Sequence, residues 1–141
     1  MNLRSARLTV ALLFVFVFAG TLFLQVSAWG AARDVTIDKN EQTTTIECKS
    51  DAVNIKGERN KLTLTGDCTK VTVGGHDNVI IASSVKELDV PGHDNSITLD
   101  LAGKITASGD DNNIVWKNGL EGKAPDISGK GKDNKITQGG R

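Results

Sequence analysis

Residues 53–64 read VNIKGERNKLTL, two short runs of alternating apolar and polar residues separated by Gly57-Glu58-Arg59-Asn60. Such alternation is typical of a strand with one buried face. Because Gly-x-x-Asn supplies residues that can take positive φ, we expect a sharp turn between the two strands. Further copies, the first of them degenerate, occupy 35–46, 71–82, 88–99, 105–116 and 127–138. The chain is therefore built from repeats.

The spacing of the copies favours a solenoid. The template glycines follow one another at intervals of 18, 17, 17 and 22 residues: Gly57, Gly75, Gly92, Gly109 and Gly131. An antiparallel meander or barrel is the competing architecture, but stacked coils account better for near-constant intervals and equivalent side chains. We predict an all-β, single-domain parallel β-solenoid of about five to six coils with 17–18 residues each. Its parts are a degenerate first coil 35–52, regular coils 53–116, a loop 117–126 and a last coil 127–138.

Stacking gives the repeated Asn a structural purpose. Coils about 4.8 Å apart would place the amides in one column, each able to donate to one neighbour and accept from the other. The column is Asn60, Asn78, Asn95, Asn112 and Asn134. Two aliphatic columns should fill the interior: Val53, Val71, Leu88, Ile105 and Ile127, and Leu62, Ile80, Ile97, Ile114 and Ile136. Trp116, the one aromatic residue after Trp29, is expected as an end plug or a surface residue.

The N-terminus predicts export. Arg4 and Arg7 precede an apolar run, residues 8–24, and small residues then allow cleavage after Gly30 or Ala32. This order is that of a secretory signal peptide, here 1–32, followed by a mature domain, 33–141. The protein is then periplasmic or secreted, and it touches the membrane only if the segment stays uncleaved as an anchor.

The mature domain carries two cysteines and little net charge. Disulfides persist in exported proteins, so we predict a bond between Cys48 and Cys68, which fall on adjacent coils. Residues 33–141 contain 15 basic and 17 acidic groups, a net charge of −2. This near balance gives no electrostatic reason to expect nucleic acid as a partner.

The repeated Gly-x-x-Asn-x-apolar-x-apolar units follow an export signal, and Cys48 and Cys68 flank the first clear copy. In these features the chain resembles an exported bacterial family known as domain of unknown function 3060. The resemblance covers roughly residues 46–137. It implies a bacterial, exported protein, and it brings no established activity and no functional residues.

The turns contain the candidate metal ligands. His76 and His93 should stack, with acidic residues beside them: Asp77, Asp94, Asp110 and Asp111. Imidazole suits Zn or Cu and carboxylate suits Ca, so these turns could hold a divalent metal. The simpler interpretation, which we favour, is that Asp and His are solvent-facing turn residues, and we expect no cofactor.

The candidate partner surface is a modest apolar patch formed by Val79, Ile81 and Val115 at outward strand positions. Neither His has a nucleophile placed beside it by the repeat, so we expect no enzyme. The predicted function is a structural or protein-interaction module of the bacterial cell envelope, with metal or glycan binding at the stacked turns as the alternative. Unpaired strand edges at the ends of the solenoid could also support self-association.

Overall fold

Parallel strands make up most of residues 32–140, the part of the chain that the computed structural model describes. They are β1 Asp34–Ile37, β2 Thr43–Lys49, β3 Ala52–Ile55, β4 Lys61–Val73, β5 Val79–Val90, β6 Ser96–Ala107, β7 Asn113–Gly119, β8 Asp126–Gly129 and β9 Lys135–Gln138. One short 3-10 helix, Leu120–Gly122, follows β7. The predicted export signal, 1–32, lies outside the described residues except for Ala32.

Each strand pairs with its equivalent one coil away. Val53 pairs with Val71, and Leu62 pairs with Ile80, 18 residues along the chain. The sheet order is β1-β3-β4-β5-β6-β7-β9, with β2 paired to β4 and β8 to β6. Since these neighbouring strands all run parallel, the β-solenoid is confirmed and the meander is wrong for the described residues.

The change in coil length from 18 to 17 residues comes from one bulge. The register between β4 and β5 shifts between Leu64 and Asp67, where two residues of β4 face one of β5. Gly66 sits in this bulge with φ 75°, a conformation that glycine adopts without strain. The bulge lies between the two core columns, so the columns stay aligned through the stack.

The core consists of stacked aliphatic columns. Val53, Val71, Leu88 and Ile105 are at most 1% exposed, as is the row from Ile80 to Ile114. Burying an aliphatic side chain of this size contributes about 1.5–3 kcal/mol, so these columns contribute substantially to stability. Three further buried columns complete the core: Ile55, Val73, Val90 and Ala107; Leu64, Ala82, Leu99 and Trp116; and Cys68, Val85 and Ala102. Ile127 keeps the expected register but is 43% exposed, because β8 lies at the end of the described stack.

Trp116 closes the C-terminal end of the core. It lies in register with Leu99 on one side and Gln138 on the other, and it is 8% exposed. The end plug is therefore confirmed and the surface position is wrong.

The predicted loop 117–126 is too long. Strand β7 continues to Gly119, because its residues still pair with β6, and β8 already begins at Asp126. In the described part of the chain, helix is confined to one short turn, and none is long or apolar enough to cross a membrane.

Candidate functional site

A disulfide joins the first coil to the second. Cys48 on β2 and Cys68 on β4 are bonded, and both side chains are nearly fully buried. The predicted pairing is thus present in the structure. A bridge closing a loop of this length contributes roughly 3 kcal/mol by constraining the unfolded chain.

The repeat glycines allow the main chains of adjacent coils to approach closely at the turn. A Cβ on Gly75 would overlap the carbonyl oxygen of Gly57, and the same overlap recurs for Gly92 and for Gly109. Positive φ instead falls on the residue before each Asn: Arg59, Asp77, Asp94, Asp111 and Asp133. The expected turn with positive φ is therefore present, and the left-handed residue lies between the Gly and the Asn.

The Asn residues form a hydrogen-bonded ladder through the stack. The Nδ2 of Asn78 donates to Asn95 Oδ1 and to the carbonyl oxygen of Gly57, both at 3.0 Å. The main-chain N–H of Asn78 also donates to Asn95 Oδ1, at 3.1 Å. Equivalent bonds run from Asn95 to Asn112 and from Asn112 to Asn134. Asn60, Asn78, Asn95 and Asn112 are buried, so the predicted column is a structural element.

The two turn positions between Gly and Asn form further columns along one edge of the solenoid. A parallel bridge pairs His76 with His93, and the N–H of Asp110 donates to His93 Nδ1 at 3.3 Å. The neighbouring column contains Asp77, Asp94 and Asp111, each with φ between 54° and 57°. The predicted stacking of these residues is confirmed.

His76 lies between two carboxylates. Its Nε2 is 2.9 Å from Glu58 Oε1, and its Nδ1 is 3.1 Å from Asp77 Oδ2. The hydrogen bond with Asp77 and the negative charge of Glu58 raise the pKa of His76 above its usual 6.5. With both ring nitrogens engaged in this way, the imidazolium form is favoured.

The stacked turns do not converge into a metal centre. Within residues 32–140, no group of three or more His, Cys, Asp or Glu is arranged to hold an ion. Glu58 and Asp77 already contact both ring nitrogens of His76, so a metal would have to displace one of these contacts. The candidate ligands His93, Asp94, Asp110 and Asp111 remain at the surface as turn residues.

A second surface of interest is the post-turn face, the outward side chains of the strand segments that follow each turn. Its central column is β-branched in all six coils: Thr45, Thr63, Ile81, Thr98, Val115 and Thr137. β-branched side chains are stiff at χ1, so the column presents a row of methyl groups with little freedom to rearrange. Successive members lie one strand spacing apart, about 4.8 Å.

Two apolar side chains stand out on this face. Val79 and Ile81 are 43% and 52% exposed, on the same strand and pointing the same way. Val115 is half-buried and separated from Ile81 by Thr98 of the intervening strand, so the predicted patch of three is wrong in its extent. The exposed patch is Val79 and Ile81. On the adjacent strands, Ile81 lies between Thr63 and Thr98, and Val79 lies between Lys61 and Ser96.

Two features of the structure were not predicted from the sequence. One is the unbroken β-branched column, which a position-by-position comparison of the six copies could have found. The other is the contact of Arg33 with Asp51, which joins the start of the first coil to the corner before β3. Asp51 falls outside the repeated pattern, so no periodic signal marks it.

Comparison with known proteins gives one family. Residues 55–100 and 84–133 match the model of the family described as Protein of unknown function (DUF3060). The two matches overlap and together cover residues 55–133, more than half of the 141-residue chain. No curated protein and no solved structure matches the chain.

Proposed function

Because the chain belongs to the DUF3060 family of proteins of unknown function, we propose for it the role of an exported, non-enzymatic interaction module of the bacterial cell envelope. Its partner is an envelope protein that docks on the post-turn face. The observation that carries this proposal is the exposure of Val79 and Ile81 on one strand, with Ile81 in the column that is β-branched in all six coils. Exposed aliphatics gathered on one face favour a partner with an apolar surface.

The opposite strand segments are less suited to such docking. Their outward positions place charges of opposite sign on successive coils, Lys70, Glu87, Lys104 and Asp126. Lys70 and Glu87 form an ion pair with Nζ and Oε1 3.6 Å apart. This ion pair is satisfied within the molecule, whereas the aliphatic groups of Val79 and Ile81 face solvent.

The chemistry of the side chains supports a non-enzymatic role. Cys48 and Cys68 are bonded to each other, so neither is available as a thiol nucleophile. His76 is engaged by carboxylates at both nitrogens, and His93 Nδ1 accepts from the main chain of Asp110. Export is supported by the basic, apolar and small-residue order of residues 1–32 and by the disulfide.

The test compares two substitutions at one residue. Ile81→Lys places a charge in the patch, and Ile81→Thr restores the residue type found at the same column position in four of the other five coils. Both should keep the fold, since Ile81 points outward. We expect affinity capture from envelope extract to lose its specific partner with Ile81→Lys and to retain more of it with Ile81→Thr. Equal capture by wild type and Ile81→Lys would overturn the proposal.

A further inference from the structure

The carboxylate of Asp51 is buried and held mainly by one residue. Asp51 is 1% exposed, although it lies at the N-terminal end of the solenoid. The main-chain nitrogen of Arg33 donates to Oδ1 at 2.8 Å, and Nη2 donates to Oδ2 at 2.9 Å. The N–H of Lys49 adds a bond to Oδ2 at 3.2 Å. These donors, the Arg33 side chain above all, hold the pKa of Asp51 at about 2.

The main-chain bond is the informative one, because it fixes the residue immediately before β1. The carbonyl oxygen of Arg33 accepts from the N–H of Ala52, and β1 begins at the next residue, Asp34. Ala32 and Arg33 are both exposed, whereas the Asp51 side chain that Arg33 contacts is buried. Arg33 is also the residue that follows the Gly30-Ala31-Ala32 cleavage signature.

We propose that the exported chain is cut between Ala32 and Arg33, and that Asp51 binds the α-ammonium group which this cut creates. The inference rests on the proposed export. Hydrolysis of the peptide bond by a signal peptidase consumes one water, leaving a carboxylate on Ala32 and an amine on Arg33 that takes up a proton. The new ammonium then donates to Oδ1 in place of the former peptide N–H.

The alternative cut after Gly30 would not place an ammonium group beside Asp51. Two alanines would then precede Arg33, and its nitrogen would remain a neutral amide donor. A hydrogen bond between two charged groups is roughly twice as strong as a neutral one, and it is strongest where water is excluded. A buried carboxylate at this position is thus better matched to a chain terminus than to a peptide bond.

Intact mass and N-terminal sequencing of the processed protein test the cut. The full chain should be produced in a bacterium that exports it and then purified from the periplasm or medium. We expect a start at Arg33-Asp34-Val35. A start at Ala31 would overturn the inference while leaving export intact, whereas a chain that remains in the cytoplasm with Met1 would contradict the proposed export itself.

An NMR titration of the α-amino group tests the role of Asp51. An α-amino group ordinarily titrates near 7.7–8.0, and we expect its pKa to lie at least about one unit higher in the processed protein. The Arg33 guanidinium and Lys49 oppose this shift and Glu47, which lies beside them, assists it. Asp51→Asn should abolish the shift, and the exposed control Asp38→Asn should leave it unchanged.

A second measurement avoids the risk that Asp51→Asn does not fold. Acetylation of the α-amino group in the wild-type sequence removes its charge without changing Asp51. We expect the acetylated protein to melt several degrees lower than the free form. An unshifted α-amino pKa in the wild type, or equal melting temperatures, would overturn the assignment.

Discussion

At the scale of single residues, the carbonyl oxygen of Gly57 lies where a Cβ of residue 75 would have to be. The same relation links each later repeat glycine to the one before it. A single missing methyl group per coil therefore allows the main chains to approach at the turn. Gly74, immediately before Gly75, has no such constraint, since a Cβ there would meet only Ile55 O at 3.7 Å.

Substitution of these adjacent glycines should have opposite consequences. Gly75→Ala forces the two turns apart and should lower the free energy of unfolding by about 3 kcal/mol or more. Gly74→Ala should leave it unchanged or raise it by up to about 1 kcal/mol, because it restricts the unfolded chain. Urea denaturation of both variants measures the difference, and equal midpoints would contradict the close-approach argument.

The Asn ladder should be weaker at its N-terminal end. In the described chain the Nδ2 of Asn60 is buried without a hydrogen-bond partner, whereas Asn95 uses both its Nδ2 and its Oδ1. Asn95→Ala leaves donors on Asn78 and the oxygen of Gly75 unsatisfied, so we expect a loss of about 3 kcal/mol. Asn60→Ala removes only the bond from the N–H of Gln42 and should cost about 1 kcal/mol. Calorimetry showing equal losses would argue against a ladder.

At the scale of the structural elements, the turn column links protonation to stability. The pKa of His76 is raised in the folded protein, first by Asp77 and further by Glu58. His76 therefore binds its proton more tightly in the folded state than in the unfolded state. Its stabilisation is present in full below pH 6.5 and is lost as the pH rises through the higher folded pKa.

An Asp77→Asn variant tests this linkage with little change in geometry, since Asn tolerates the positive φ at that position. An NMR titration should place the His76 pKa above 6.5 in the wild type and closer to 6.5 in Asp77→Asn. Thermal stability of the wild type should fall as the pH rises through this window, and His76→Gln should flatten that dependence. A wild-type His76 pKa at or below 6.5 would contradict the arrangement.

The elements that periodicity encodes are the ones the sequence predicts well. The coils, the two main core columns, the Asn column and the stacked His residues all depend on a side chain recurring at one position. The bulge at Gly66, the exposure of Ile127 and the Asp51 contact depend on a single coil or on the end of the stack. Repetition carries no information about such features, so they required the structure.

At the scale of the whole molecule, the first coil differs from the others where another copy of the chain would have to stack. Lys39 stands at the glycine position and Gln42 at the Asn position. By the geometry of the later coils, the Cβ of Lys39 lies where the carbonyl of a preceding coil would come. This residue should oppose the self-association through solenoid edges that strand pairing alone would allow.

Removing that Cβ should permit head-to-tail stacking. We expect the double variant Lys39→Gly, Gln42→Asn to form dimers or longer stacks in sedimentation velocity experiments. The matched control Lys39→Ala, Gln42→Asn differs from it by one methyl group and should remain monomeric, like the wild type. Identical sedimentation of the two variants would show that Lys39 does not block the end.

The most direct test of the interaction module is site-specific photocrosslinking in exporting cells. A photoreactive residue replaces Ile81 on the post-turn face or, as the control, Thr72 on the opposite strand segments. We predict a discrete crosslinked envelope protein with the probe at position 81 and none, or far less, with the probe at 72. Equal crosslinking from both positions, or no discrete product from position 81, would contradict the proposal that this face binds a partner.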